Sequence, residues 1–466
     1  MSVQINKAPP HVLANEILRK YDIRGRVGGN IKPQDAYYIG LSYATYARKQ
    51  GLIGAVCVGY DGRISSPMLE AELARGLTDG GLDVVRIGLV ATPVLYFATY
   101  HIKQAIGGIM ITGSHNPPDE NGFKMVLNRA PLFDEAIIDL GRLAATGECV
   151  LYTPGHMTEY SIIETYVQNI IEASGLAQQS GLKIAWDPGN GAVGSVLPAL
   201  AGKLAGKHIK LNMHVDGNFP AHHPDPSVKA NLAQLQAAVL GHGCDVGFAF
   251  DGDGDRLGVV DNSGNILSGD QLLLILARDL LQRKPGSKII ADVKTSDVVF
   301  RKIEEWGGVP IMWKTGHSFI KTKMAEENAI MAGEMSGHLF FAEDYYGFDD
   351  AILAALKVLD ILARAKKPLS TLLADLPVMV GTPEIRIDCV EERKFAIIEE
   401  LKALLDQHAI SYLDLDGVRV RLANGWWLLR ASNTQSCLVM RAEGDDEATL
   451  EKIVATAKDM LRQVII

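Results

Sequence analysis

The sequence predicts an α/β protein: three versions of one strand–loop–helix unit, then a smaller α+β domain. Three observations carry this. At 466 residues the chain is too long for one core, and length alone suggests about three or four domains. Short apolar runs alternate with stretches of helical spacing, and the same order recurs three times. After Leu376-Pro377 the composition shifts and a different order begins.

In the first unit Ala55–Gly59 reads as a strand, Tyr60–Pro67 as a loop and Met68–Gly80 as a helix. Val84–Ile87 is a second strand, and a helix runs from Thr92-Pro93 to His101. The apolar run Gly108–Ile111 then ends abruptly in Thr112-Gly113-Ser114-His115-Asn116-Pro117-Pro118. This is a buried strand with a tight loop at its carboxyl end, where open α/β sheets place ligands. Pro117 fixes its own φ and holds Asn116 extended, so a stiff turn presents the Ser114 hydroxyl. On these residues alone a structural turn and a nucleophile loop both remain open.

The second unit has the strand Lys183–Asp187, a turn through Gly191, a helix over Ser195–Leu204 and the strand Asp245–Phe250. The third has Lys288–Asp292, a helix ending at Ile303, and Ala329–Ala332 running into Gly333–His338; the helix Asp350–Ala365 closes it. The last segment offers strands at Glu384–Cys389, Val418–Leu422, Trp426–Arg430 and Ser436–Arg441, with helices over Glu392–His408 and Leu450–Val464. These readings divide the chain into 1–160, 161–265, 266–377 and 378–466.

Forty-six basic against 55 acidic residues give a net charge of -9. A general nucleic-acid binder would need a basic face, so that class is excluded, and any anionic ligand must be held by local cations. Cys57, Cys149, Cys244, Cys389 and Cys437 show no metal-ligand spacing. They predict reduced thiols in a cytoplasmic protein. The first ten residues have no apolar run, which predicts no secretory signal. The longest apolar segments, Leu272–Leu281 and Ala351–Ala363, are interrupted by charge, so no membrane span is expected.

The strongest chemical signal besides the serine loop is Asp251-Gly252-Asp253-Gly254-Asp255-Arg256. Three carboxylates at alternate positions on a glycine loop can converge on one hard divalent ion. An EF-hand is rejected, because position six is Arg256 rather than glycine and position twelve is Asn262 rather than glutamate. Gly189-Asn190-Gly191-Ala192-Val193-Gly194 matches the dinucleotide fingerprint, with Asp216 about twenty residues on. Against it, Asp187-Pro188 interrupts the strand-to-glycine turn. Gly333-Glu334-Met335-Ser336-Gly337-His338 offers a carboxylate, a hydroxyl and an imidazole, the paired donors and acceptors that sugar hydroxyls need. A plain loop fits those residues equally well. Arg430-Ala431-Ser432-Asn433-Thr434-Gln435 suits a phosphate cradle, or an ordinary hairpin turn. Tyr21–Gly25, Lys294 and Thr315-Gly316-His317 read individually as polar surface, and His222-His223 as a stiff loop.

Taken together, these residues resemble the α-D-phosphohexomutase family, most closely its bacterial phosphomannomutase/phosphoglucomutase branch. Thr112–Pro117 is similar to the family's phosphoserine loop and Asp251–Arg256 to its metal loop. Glu334–His338 is similar to its sugar loop and Arg430–Gln435 to its phosphate loop, all in the family's order. The resemblance implies four domains around a central cleft and reversible phosphoryl transfer between the 1- and 6-positions of mannose and glucose phosphates. Ser114 would carry the phosphoryl group and pass it through a 1,6-bisphosphate. One Mg²⁺ would be held by Asp251, Asp253, Asp255 and the group on Ser114, with glucose 1,6-bisphosphate as activator. Arg24, Lys124 and Arg256 would stabilise the transferring group beside His115, and Lys124 or His338 would relay the proton. Arg430, Ala431, Ser432, Asn433 and Thr434 would anchor the phosphate that is not reacting. Tyr21, Lys294, Gly316 and His317 would line the sugar, and Glu334, Met335, Ser336, Gly337 and His338 would bind its hydroxyls. The resemblance further implies a monomer acting on small hexose phosphates, with its last domain hinged near Leu376–Val380. Rival readings are a phosphoglucosamine mutase, a metal-dependent sugar phosphatase, a non-catalytic sugar-phosphate binder and a nicotinamide dehydrogenase.

Overall fold

One strand pattern is repeated in three successive lobes. The computed structural model describes residues 6–176, 181–372, 374–377, 380–433 and 436–464. In the first lobe Ala55–Tyr60 lies parallel to Asp83–Leu89 on one side and to Ala105–Ile111 on the other. Ala105–Ile111 pairs antiparallel with Glu120–Leu127, which pairs antiparallel with Ile23–Arg26. In the second lobe Lys183–Asp187 takes the central place between Lys207–Lys210 and Val246–Phe250. Leu257–Asp261 and Ile266–Leu267 follow antiparallel. The third lobe places Lys288–Asp292 between Val309–Trp313 and Met331–Gly333, then Leu339–Phe341 and Phe348–Asp349. The serine, triple-aspartate and Glu334–His338 turns therefore occupy one equivalent seat. Each joins the outer parallel strand to its antiparallel neighbour.

The fourth lobe is antiparallel. Val380–Gly381, Cys437–Gly444, Gly425–Ala431 and Val418–Leu422 lie in that order, and Ile385–Asp388 also pairs with Cys437–Gly444. The helices Lys394–Gln407 and Glu447–Val464 supply its apolar face, including Ile397, Leu401, Ile453 and Leu461. Its turn after Ala431 is again the end of a hairpin.

A single apolar cluster runs through the first three lobes, joining Val94 and Phe97 to Trp186 and Phe248 and on to Leu273 and Leu356. The fourth lobe has a separate core around Trp427, Leu438 and Met440. It meets the third through a small patch of Val293, Trp426 and Leu428 and several ion pairs, among them Arg419–Asp297 and Arg441–Asp270.

The structure adds elements the sequence reading did not give, among them the helices Glu135–Ala145, Ile163–Ser174, Ala233–His242, Gly269–Arg283 and His317–Glu327, and two other departures bear on packing. The helix predicted over Ser195–Leu204 is a 3₁₀ turn, Ala192–Ser195, followed by an α-helix, Leu197–Lys203, with Pro198 in its first turn. The helix Pro33–Lys49 was not anticipated. It packs on Ser66–Asp79 by backbone approach: a Cβ on Gly40 would lie 2.3 Å from Leu73 O, and one on Gly76 2.0 Å from Tyr37 O. Its buried Ala36, Ile39, Tyr43, Ala44 and Ala47 recur at helical spacing, so the signal lay in the sequence unread. No helix among the described residues is long and apolar enough to cross a membrane.

Candidate active site

The three equivalent turns and the fourth-lobe hairpin converge. Ser114 follows the parallel strand Ala105–Ile111 and takes a left-handed backbone, φ 49°. For a non-glycine residue such a conformation costs about 1–3 kcal/mol and persists only where the surroundings impose it. Its N–H donates to Thr112 Oγ1 at 2.8 Å. Its Oγ donates to Asp251 Oδ2 at 2.9 Å and lies 3.1 Å from His115 Nδ1. The two loops touch because residue 252 is glycine: a Cβ there would lie 2.3 Å from Ser114 O.

Asp251, Asp253 and Asp255 are fully buried, and each offers a carboxylate oxygen within 4.8 Å of the others. Asp251 Oδ1 orders the turn by accepting the N–H groups of Gly254, Asp255 and Arg256 at 3.0–3.1 Å. Lys124, on the strand Glu120–Leu127, sets its ammonium 2.7 Å from Asp253 Oδ2 and 2.5 Å from Asp255 Oδ2. Among the described residues, buried Asp253 Oδ1 accepts no hydrogen bond, and Asp255 Oδ1 meets only the His338 ring. Three converging carboxylates with hard oxygens left open are a donor set that fits a divalent cation.

The electrostatics follow from this crowding. Burial and the two neighbouring carboxylates raise the Asp251 carboxyl well above its usual range. Burial pushes Asp255 the same way, but Lys124 and His338 outweigh it and leave Asp255 well below. His338 Nε2 is 3.2 Å from Asp255 Oδ1, and its Nδ1 is 2.8 Å from Glu334 Oε2. Against the cost of burial these partners lift the imidazole to about 9, and Glu334 falls to about 2. Lys124 is likewise raised despite burial. Both groups expected to relay a proton are therefore held as cations in this arrangement. His115 and His317 are driven well below the usual imidazole value, by burial first and by neighbouring cations second.

Backbone pairing locks the second and third lobes together. Arg256 and His338 form an antiparallel bridge, and Leu257 N donates to Gly337 O at 3.1 Å. Glu334 Oε1 accepts from Gly316 N at 2.6 Å, and Ser336 Oγ lies 3.0 Å from His338 Nδ1. Met335 N lies 3.5 Å from Asp292 Oδ1. Tyr21 OH donates to Thr315 O at 2.7 Å and accepts from Asn433 Nδ2. Its ring lies edge-on to His317. Arg24 donates to Asp22 Oδ2 at 2.6 Å and to Asn116 Oδ1 at 3.1 Å.

In the fourth lobe Arg430 Nε donates to Asp416 Oδ2 at 3.0 Å, and Asp416 also accepts Thr315 N. Ala431 ends the strand, and Ser432 N donates to Cys437 O at 2.9 Å. Thr434 lies outside the described residues. Arg24 Nε, Arg256 Nε and Arg430 Nη2 are buried donors with no partner among the described residues. Such donors cost free energy unless an acceptor meets them, and phosphate oxygens are acceptors of the right charge.

Lys294 Nζ donates to Glu384 Oε1 at 2.8 Å, tying the third lobe to the fourth. The Lys294 charge, against partial burial, holds Glu384 at about 2. A depressed carboxyl stabilises the fold fully above its unfolded value of 4.5, and that contribution fades as pH falls through about 2. Glu384→Gln is therefore expected to lower the melting temperature at pH 6. The gap to the parent should close progressively below about pH 4.5. A gap independent of pH would contradict this.

Comparison with known proteins gives the assignment. Models of phosphoglucomutase/phosphomannomutase alpha/beta/alpha domains I, II and III match residues 15–140, 164–264 and 268–379, and the C-terminal domain model matches 384–460. The chain belongs to the phosphoglucomutase/phosphomannomutase family. It has that family's three α/β/α domains and a C-terminal domain. A phosphomannomutase/phosphoglucomutase of Pseudomonas putida is 45% identical over 453 residues, covering 97% of this chain and 96% of that one. A phosphoglucomutase of Neisseria gonorrhoeae is 43% identical over 445 residues, 95% of each. The crystal structure of a phosphoglucomutase/phosphomannomutase family protein from Burkholderia thailandensis superposes with a TM-score of 0.90 at 38% identity, covering 97% of this chain and 98% of that one.

The dinucleotide-like glycine run is taken up by packing. Ala192 N donates to Gly252 O at 2.9 Å, and the Asp216 carboxylate caps its own turn at Asn218 N. The sequence reading missed the groups that hold the functional residues from behind: Asp22, Thr92, Asp292, Asp416, and the pair Asp61–Arg63. Thr92 Oγ1 donates to Asp253 Oδ2 at 2.5 Å. The only available signal for the last pair was a charged Asp-Gly-Arg directly after a buried strand, which read as a loop.

Proposed function

We propose that this chain is a reversible hexose-phosphate mutase acting on mannose and glucose phosphates. The observation that carries it is the Ser114 hydroxyl held 2.9 Å from the triple-aspartate turn, with unpartnered arginine donors around it. The relatives' names supply the substrate class. In the working cycle Ser114 carries a phosphoryl group and gives it to the free hydroxyl of a hexose 1-phosphate. The Ser–O–P bond breaks as a sugar O–P bond forms, leaving a 1,6-bisphosphate. After reorientation the other phosphate returns to Ser114. Mg²⁺, held by Asp251, Asp253, Asp255 and the group on Ser114, would neutralise phosphoryl charge. Phosphoryl transfer depends mainly on positioning and charge stabilisation. Arg24, Lys124 and Arg256 provide fixed positive charge beside the serine. Glu334 and Ser336 take sugar hydroxyls while Tyr21, Lys294 and His317 wall the sugar, and Arg430, Ser432 and Asn433 anchor the distal phosphate. We divide the chain at 160, 265 and 377, with the last domain moving about Leu376–Val380, of which Val378 and Met379 lie outside the described residues.

The test is isomerisation of mannose and glucose 1-phosphates, with intact-protein mass before and after phosphatase treatment. Activity should fall on dephosphorylation and return with glucose 1,6-bisphosphate. Release of inorganic phosphate without isomerisation would establish a phosphatase instead. Arg430→Ala should raise KM by about 10- to 100-fold, the loss of charge-assisted hydrogen bonds, with a smaller change in kcat. An unchanged KM would remove Arg430 from the anchor.

A further inference from the structure

We propose that Arg63, paired with Asp61, is the positioning residue that sets the backbone of the Ser114 loop and so aims the nucleophile. The proposal rests on the reading of Ser114 as phosphoryl carrier. Neither residue touches the Ser114 hydroxyl, and both are buried beneath the loop. All five N–H donors of the guanidinium are used. Nε donates to Asp61 Oδ2 at 3.1 Å. Nη1 donates to Pro117 O and, at 2.8 Å, to Glu120 O. Nη2 donates to Ser114 O at 2.8 Å and Asn116 O at 2.7 Å. Four carbonyls of one turn are thus gathered around one planar group.

Asp61 completes the frame from the other side. Its Oδ2 accepts Thr112 Oγ1 at 2.8 Å and Gly113 N at 3.2 Å, and its Oδ1 accepts Arg63 N and Ser66 Oγ. Thr112 Oγ1 in turn accepts Ser114 N. The second lobe seals the pair from outside. Phe219 lies 5.3 Å below the guanidinium, and a Cβ on Gly217 would be 2.7 Å from Arg63 Cα.

This arrangement accounts for the left-handed φ of Ser114. Ser114 has its own carbonyl held by Arg63 and its N–H by Thr112, while Asp61 takes Gly113 N and Arg63 takes the carbonyls of Asn116, Pro117 and Glu120, so the strained conformation is the one that satisfies them all. A lysine cannot replace the arginine. It has three donors on a single atom and no fork that spans four carbonyls. The pair bonds to the loop's backbone and to Thr112 and Ser66 and adds no net charge, so its effect is on geometry and not on phosphate affinity.

The experiment compares the full chain with Arg63→Lys and Thr112→Val in the isomerisation assay, with circular dichroism and thermal melting as fold controls. For Arg63→Lys, kcat should fall by about 100-fold, the penalty of a misplaced reacting group, while KM for glucose 1-phosphate stays within about twofold. Thr112→Val keeps the side-chain volume and removes the link from Asp61 to Ser114 N; its kcat should fall by about tenfold with KM again unmoved. Near-parental kcat in folded Arg63→Lys would overturn the proposal, as would equal changes in kcat and KM. If Arg63→Lys does not fold, Thr112→Val decides by the same split. Absence of isomerisation by the parent enzyme would instead overturn the mutase reading itself.

Discussion

Replacing Ser114 by alanine is expected to abolish turnover while leaving the protein folded. The loss should be on the order of 10⁵-fold or more, the scale seen when a covalent nucleophile is removed, because the remaining charges have no group to carry the phosphoryl between half-reactions. The structural cost is smaller. Alanine removes the hydrogen bond from Oγ to Asp251 Oδ2 and leaves that buried oxygen short of a donor, a penalty of about 1–3 kcal/mol. The left-handed backbone remains, because it is imposed through carbonyls and N–H groups that alanine retains. Intact mass should show no phosphoryl group on the variant after incubation with glucose 1,6-bisphosphate. A variant that still becomes phosphorylated, or still isomerises, would move the nucleophile elsewhere.

The second large effect is expected at Asp253. Its Oδ2 is held by Thr92 and Lys124, and its Oδ1 accepts no hydrogen bond among the described residues. Asp253→Asn keeps the shape and removes one of three converging charges. We expect kcat/KM to fall by about 100- to 1000-fold at fixed Mg²⁺, in line with the loss of one preorganised charge-stabilising group. Raising Mg²⁺ should restore part of it. Titration of activity against Mg²⁺ reads the effect directly, and an unaltered midpoint would exclude Asp253 from the cation site.

The contrast between these residues and Arg63 shows what a sequence makes legible. Thr112–Pro117, Asp251–Arg256 and Glu334–His338 are contiguous because each fills one turn between two adjacent strands. A turn carries its chemistry within a few positions, so the words stand out. Most parallel strands of the first three lobes and the loops after them were readable for the same local reason, while their antiparallel strands and several helices were not. The supports are different. Asp61 and Arg63 act on a turn about fifty residues away, and Asp416 reaches Thr315 across 101 residues. Each is a lone charged residue in a loop, and only the folded chain shows what it faces. Lys124 stands between Phe123 and Met125 in the strand Glu120–Leu127. Its place against two aspartates follows from the antiparallel return of that strand, which the local pattern did not reveal. The helix Pro33–Lys49 had a local signal, with Ala36, Ile39, Tyr43 and Ala47 at helical spacing, but its close approach through Gly40 and Gly76 is visible only in the fold.

The bridge between Arg256 and His338 has one further consequence. It makes the triple-aspartate turn, our proposed cation seat, and the Glu334–His338 turn, our proposed sugar contact, into parts of one short ribbon, with His338 reaching Asp255 across it. Whatever free energy passes along that ribbon passes equally in both directions. If an occupied cation seat tightens the grip on sugar by some factor, a bound sugar must tighten the grip on the cation by the same factor.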